Sequence, residues 1–212
     1  MNQNTSSEAK FGGSIKVFEG HTNVLTGGFE FILDELPDKG NVLPIATPVY
    51  ADEETRVIRP TYTFALAEAA EETAVEYKIK KGPEGSRIKV GTILMVAPAS
   101  VSDKGTGVKV SAVDTTNAAY DVITVSATLG VKEVGAVLIE ADQEGAEATV
   151  KVVPNALLDR DVRKLPDATQ VNATAVFFSD MPVLERRIPP IPDCLKKALL
   201  ESGCYLRFSK RK

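Results

Sequence analysis

The 212-residue chain has 43% hydrophobic and 25% charged residues, values ordinary for a globular protein with a core of useful size. No apolar run nears the ~20 residues that a membrane-spanning helix needs. Trp is absent and aromatics make up 6%, so a broad stacking surface for sugars or bases is not expected. The net charge of −4 is unevenly spread. Glu185 to Lys212 holds eight Lys/Arg against three Asp/Glu, a net +5 that leaves −9 for Met1 to Leu184. Such a split points to an electrostatic contact with an acidic neighbour or with nucleic acid, or else to a solvated end. A pI near 5.2 makes the whole chain a poor nucleic-acid binder.

Met1 to Ser14 is polar and reads as an arm. It lacks the basic and apolar regions of a signal peptide, so synthesis in a cytoplasm is expected. Short strands are expected at Ile15 to Phe18 and, after Gly27-Gly28, at Phe29 to Leu33. His21 falls in a polar loop, His21-Thr22-Asn23. Val42 to Tyr50 is extended because Pro44 and Pro48 remove two donors and bias their neighbours away from the helical region. That segment is expected on a sheet edge or on a neighbour's surface. Asp52 to Thr55 turns, and Val57 to Pro60 re-enters. Thr61 to Lys81 reads as two strands, with Tyr62, Phe64 and Leu66 sharing one face and Val75, Tyr77 and Ile79 another. A helix over the alanine-rich stretch between them is the alternative.

The centre of the chain repeats one phrase. Lys89-Val90-Gly91-Thr92-Ile93-Leu94-Met95-Val96-Ala97 and Glu133-Val134-Gly135-Ala136-Val137-Leu138-Ile139-Glu140-Ala141 share charge, Val, Gly, a small residue, a β-branched residue and Leu in order. A Gly before a β-branched run marks a bend at the start of a strand. Between the copies lie two β-rich runs, Gly107 to Val113 and Tyr120 to Ala127, joined by the turn residues Asp114-Thr115-Thr116-Asn117. Four such strands predict a small SH3-like β-barrel. Further on, Ala148 to Val153 and Gln170 to Ser179 read as strands, and Ala156 to Leu165 as irregular or a short helix. The stretch Pro182 to Pro192 reads as polyproline-like, because Ile188-Pro189-Pro190-Ile191-Pro192 cannot enter a helix or a central strand. A short helix follows, with Asp193 as N-cap, an apolar face of Leu195, Ala198 and Leu199, and Gly203 as its stop. Cys204 to Phe208 can form a last strand before a basic stub. The expected fold is mainly β: a small SH3-like barrel with an N-terminal β-arm and a short C-terminal helix. The expected units are 1–40, 41–184 and 185–212.

Catalytic templates fail on this sequence. One His gives no nucleophile–base pair. Adjacent acids such as Asp34/Glu35 and Glu71/Glu72 read as solvated. Cys194 and Cys204, with one distant His, make no zinc site and read as free thiols. No phosphate or dinucleotide loop is present. No enzyme activity, metal or cofactor is expected.

Several phrases, taken in order, resemble a known group. Leu43-Pro44-Ile45-Ala46-Thr47-Pro48-Val49 is similar to the LPxGTPV segment of phage capsid-attached proteins. Val90 to Leu94, Asp114 to Asn117, Tyr120 to Val125, Pro154 to Leu157 and Glu185 to Pro192 resemble head fibre proteins. These occur in tailed phages and prophages of gut anaerobes, crAss-like phages included. The chain departs from that group at Ile45-Ala46, where a Gly more often precedes Thr-Pro. The resemblance covers roughly Asn41 to the C-terminus. It implies a non-enzymatic virion protein on the outer capsid surface, a head fibre or decoration protein. The implied partners are the major capsid protein, other head fibre proteins and further copies of itself, a trimer first. No membrane and no nucleic acid are expected as partners. The expected contacts are Pro44, Ile45, Pro48, Arg186, Arg187, Pro189, Pro190, Leu195, Arg207 and Phe208. The alternative is a carbohydrate- or receptor-binding module displayed on the head.

Overall fold

A computed structural model describes residues 17–18, 20–25, 28–38, 41–82, 85–165 and 167–209. The expected arm at Met1 to Ser14, the first half of the strand at Ile15 to Phe18, and the basic stub Lys210 to Lys212 lie outside these residues.

The sequence is rich in short β-branched runs broken by Gly, Pro, Asn and Asp, and the structure is built accordingly. In chain order the described strands begin with β1 (Thr22–Val24), β2 (Phe29–Phe31), β3 (Val42–Leu43), β4 (Pro48–Ala51), β5 (Val57–Pro60) and β6 (Thr63–Ala65). Then come β7 (Glu76–Lys80), β8 (Ile93–Val96), β9 (Gly105–Asp114), β10 (Tyr120–Val125), β11 (Val137–Glu140) and β12 (Gly145–Ala148). The chain closes with β13 (Ala156–Leu158), β14 (Val162–Arg163), β15 (Asn172–Ala173), β16 (Ala175–Ser179), β17 (Val183–Leu184), helix α1 (Asp193–Glu201) and β18 (Phe208–Ser209). The described residues are thus mainly β with one short α-helix.

Two seven-stranded sheets hold most of these. The first runs β1-β16-β13-β4-β5-β2-β15. The second runs β6-β11-β8-β9-β10-β7, with β12 beside β9. Its end strands meet at the Leu66–Ile79 bridge and through the Ala67 N–H, which donates to the Lys78 carbonyl at 2.7 Å. This sheet therefore curls into a half-barrel. It uses the four strands expected from the repeated phrase and adds β6 and β7. The alternating faces expected there hold for Tyr62, Phe64, Leu66, Tyr77 and Ile79, all buried, while Val75 is exposed. No helix forms over the alanine-rich stretch, because Ala70 instead bridges to Lys132.

Alternation assigns the core. Phe64, Leu66, Tyr77, Ile79, Leu94, Val108, Val110, Ile123 and Leu138 point inward, joining one face of the first sheet in a single cluster. Met95 and Ile139, on the opposite side of β8 and β11, join a second cluster with Ala46, Leu157, Val183 and the apolar face of α1.

Several expectations are corrected. The proline-bearing segment is not an edge: β4 lies between β13 and β5. Pro48 is tolerated there because it is the first residue of its strand, where a missing N–H costs no ladder bond, and its carbonyl still accepts from the Thr61 N–H at 2.8 Å. Before it, Ala46 adopts φ 59°, and the Thr47 N–H donates to the Pro44 carbonyl at 3.2 Å. An alanine thus takes the left-handed conformation at this turn. Ala156 to Leu158 is neither irregular nor helical but a central strand, with all three residues fully buried. Burial on both faces overrides the helical propensity of Ala and Leu. The strand expected over Gln170 to Ser179 splits at Thr174 into β15 and β16, which lie at and near opposite edges of the first sheet. Thr22 and Asn23 belong to strand β1 rather than a loop. Strand β12 begins at Gly145, earlier than expected, and pairs β9, after which Thr149 and Lys151 bond Asp142 and Glu140 at the end of β11 instead.

The boundaries at 40/41 and 184/185 are bridged by pairing. β2 pairs β5, β1 pairs β16, and β17 pairs β18.

Candidate functional site

The ten contact residues named from the sequence divide by burial. Pro48, Pro189 and Leu195 are buried in this chain's own core. Pro44, Ile45, Pro190 and Phe208 are half-buried, and Arg186, Arg187 and Arg207 are exposed.

The second core cluster brings the two proline-bearing segments together. Prolines 189, 190 and 192 keep the approach to α1 extended, and Pro192 rather than Asp193 takes the N-cap position, with φ −66° and ψ 158°. Asp193 sits in the first turn, where a carboxylate suits the helix dipole. Cys194, Leu195, Ala198 and Leu199 then fall on one face and are buried. Gly203, at φ 86°, reverses the chain as expected, and the Cys204 N–H donates back to the Leu199 carbonyl at 2.9 Å. The returning segment is stitched by the Tyr205 N–H to the Phe177 carbonyl at 2.8 Å and by the parallel pairing of Val183 with Phe208. Ile45, Ile188, Leu206 and Phe208 all pack against the same cluster.

Charge follows this packing. The Lys196 ammonium lies 3.1 Å from Glu185 and 3.4 Å from Asp193, and 5.4 Å from the centre of the Phe208 ring. The Arg207 guanidinium donates to the Asp180 carbonyl. Part of the basic segment is thus engaged within the chain, while Arg186 and Lys197 stay exposed. Met181, Leu200 and Tyr205, at 46%, 58% and 63% exposure, add apolar surface to the same segment. The segment thus presents exposed cations and exposed apolar side chains together with the exposed acids Asp193 and Glu201.

A second feature lies where the two sheets meet, in a cleft whose lining includes Glu35, Tyr62, Phe64, Arg87, Glu140 and Lys151. Glu35 accepts from the Arg59 Nε at 2.9 and 3.0 Å, and the Tyr62 hydroxyl donates to the Glu35 carbonyl at 2.6 Å. Burial pushes the Tyr62 hydroxyl and the Glu140 carboxyl above their ordinary values, and Lys151, 2.7 Å from Glu140, partly offsets the latter. Each of these two carboxylates has a cation against it, so the cleft offsets its own charge on each sheet's side. Sequence reading missed this feature. Glu35 read as half of a solvated acidic pair, and the available signal was Glu140, a lone acid closing an apolar strand.

Cys194 and Cys204 are free and buried, and burial raises both thiols, Cys204 to about 12. Such thiols are unreactive. Among the described residues no group of three His, Cys, Asp or Glu could hold a metal ion, and no helix is long and apolar enough to cross a membrane. No family model matches the chain, and neither curated proteins nor solved structures show a match to it.

Proposed function

We propose that the chain is a non-enzymatic structural protein of a phage particle, a head fibre or decoration protein that attaches to the outer capsid surface and self-associates. The supporting observation is the convergence of the Pro44–Ile45 turn and the Pro189–Phe208 segment on one buried cluster, with Arg186 and Lys197 exposed. The first lies in the Leu43 to Val49 phrase that resembles capsid-attached proteins, and the second begins within the Glu185 to Pro192 phrase that resembles head fibre proteins. Segments held extended by proline lose little entropy on docking. A partner presented many times over a capsid makes weak single contacts sufficient. Within this reading β8 to β11 serve as an SH3-like module, and the partners are the major capsid protein, neighbouring head fibre proteins and sister copies in a trimer.

The test is direct. Particles purified on a density gradient from the culture that encodes this chain are digested and analysed by mass spectrometry. The reading predicts peptides of the chain co-migrating with the major capsid protein. Peptides confined to the soluble lysate would overturn it.

A displayed glycan- or receptor-binding module is the second reading, favoured only by the charged cleft between the sheets. Its aromatic walls, Tyr62 and Phe64, are 7% and 3% exposed, too little to stack a sugar.

A further inference from the structure

We propose that residues 61–97 and 105–141 are two copies of one self-complementary unit, and that the surfaces joining them also join separate chains, the partner being a second copy of this chain that exchanges halves about the 98–104 connection. This inference does not rest on the virion reading.

The repeated phrase is the visible part of a longer correspondence. A shift of 44 positions carries Gly91 to Gly135, and the same shift carries the hydrogen bonds of one half onto those of the other. The Gly91 N–H donates to the Val110 carbonyl at 2.8 Å, and the Gly135 N–H to the Leu66 carbonyl at 2.9 Å. Val110 donates to Thr92 at 2.8 Å, and Leu66 to Ala136 at 2.9 Å. Ala97 donates to Val137 at 3.0 Å, and Ala141 to Ile93 at 2.9 Å. Lys81 donates to Ala119 at 3.0 Å, and Val125 to Val75 at 2.9 Å. Each bond crosses from one half to the other.

The registers obey the same rule. β8 and β11 pair antiparallel about Met95 opposite Ile139, and β7 and β10 about Lys78 opposite Val122. Both central pairs join residues 44 apart. β8 with β9 aligns Ile93 on Lys109, and β11 with β6 aligns Val137 on Ala65. This is the pairing of an isologous dimer, in which one patch meets its own copy across a two-fold axis. Here the two partners are joined in one chain.

A second chain could satisfy the same bonds without altering a residue. The remaining architecture permits it, because the first sheet is also interleaved. β4 pairs β13, β2 pairs β15, β1 pairs β16 and β3 pairs β14, each across the 98–104 connection. Pairings within one half, such as β4 with β5 and β13 with β16, would travel intact. The connection is shaped by a turn, in which the Ser100 N–H donates to the Asp103 carboxylate at 2.8 Å and the Asp103 N–H to the Ser100 carbonyl at 3.0 Å, and Val101 packs against the second cluster. Opened, its seven residues span about 24 Å.

The experiment uses two full-length variants, Lys78→Cys and Val122→Cys, whose positions face each other across the two-fold. The native thiols are buried and stay silent. Mixed, unfolded in urea, refolded together at rising concentration and oxidised, the two variants are expected to give a linked species of twice the chain mass. It should contain one of each variant, its share should grow with concentration, and neither variant alone should give it. The double variant K78C/V122C, refolded dilute, should close the link within one chain. Mixed variants that stay monomeric at every concentration while the double variant closes would overturn the exchange. So would linked dimers formed equally by each variant alone. A double variant that fails to link would overturn the two-fold register itself.

Discussion

Gly91 and Gly135 occupy the same place in two equivalent turns, at φ 90° and 82°, and a Cβ at either would meet nothing within 4 Å. The cost of a side chain there is purely one of backbone conformation. Gly91→Ala and Gly135→Ala are each expected to lower stability by about 1–2 kcal/mol, in equal measure, as read from urea midpoints. A loss at one position only would contradict the equivalence. Glu140 gives a pH-dependent prediction. Its folded pKa is raised above the ordinary value of 4.5, burial being the main cause. Folding therefore favours its protonated form, and its contribution to stability declines as pH rises from the unfolded value through the folded one. Lys151→Met removes the offsetting cation and raises the folded value further. The variant should lose about 1–3 kcal/mol near pH 7, discounted because Lys151 is a third exposed, and clearly less near pH 4. Equal losses at both pH values would contradict this account, and Glu140→Gln in the Lys151→Met background should abolish the difference.

Equivalent positions in the two halves of the curled sheet are filled by different chemistry. Tyr77 fills one, its hydroxyl donating to the Ala74 carbonyl at 2.8 Å and accepting from the Leu129 N–H at 2.7 Å. Asp121 fills the other, 2.7 Å from Lys81, whose ammonium also bonds the Thr115 and Asn117 carbonyls. Asp121→Ala would leave a buried lysine without its counter-ion and is expected to cost about 3–5 kcal/mol in urea unfolding. A loss below 1 kcal/mol, as for an exposed pair, would show the site to be wet. Such divergence also explains what the sequence left hidden. The alternation of Tyr62, Phe64 and Leu66, the Asx turn in which Asp114 accepts from Thr116 at 2.9 Å, and the apolar face of α1 were all legible, because each is a local pattern. The two-fold was legible only over the repeated phrase, since elsewhere few identities survive the 44-residue shift even where burial does: Leu66 answers to Val110, and Tyr77 to Asp121. Strand β13 and the central place of Pro48 were illegible because each is completed by the other, more than a hundred residues away in sequence. The Glu35–Arg59 contact was hidden for the same kind of reason, being an encounter across the fold.

At the scale of the whole molecule, the C-terminal segment is part of the core. Leu195→Ala is expected to cost about 2–5 kcal/mol, and hydrogen exchange of α1 should be insensitive to salt, because apolar burial holds it. Exchange that accelerates with salt would mean that charge alone holds the helix. What salt should govern is attachment to a partner, since exposed charges are screened over about 8 Å at physiological ionic strength. The central proposal is that the chain seats on the particle through its C-terminal segment, with Arg186 and Lys197 taking part. It is tested by rebinding purified chain to particles stripped of it, followed by sedimentation, with wild type compared to the Arg186→Glu/Lys197→Glu variant. Saturable wild-type binding that weakens with salt and is lost in the variant is the predicted result. Binding that is equal for both proteins, or absent for wild type at low salt, would contradict it.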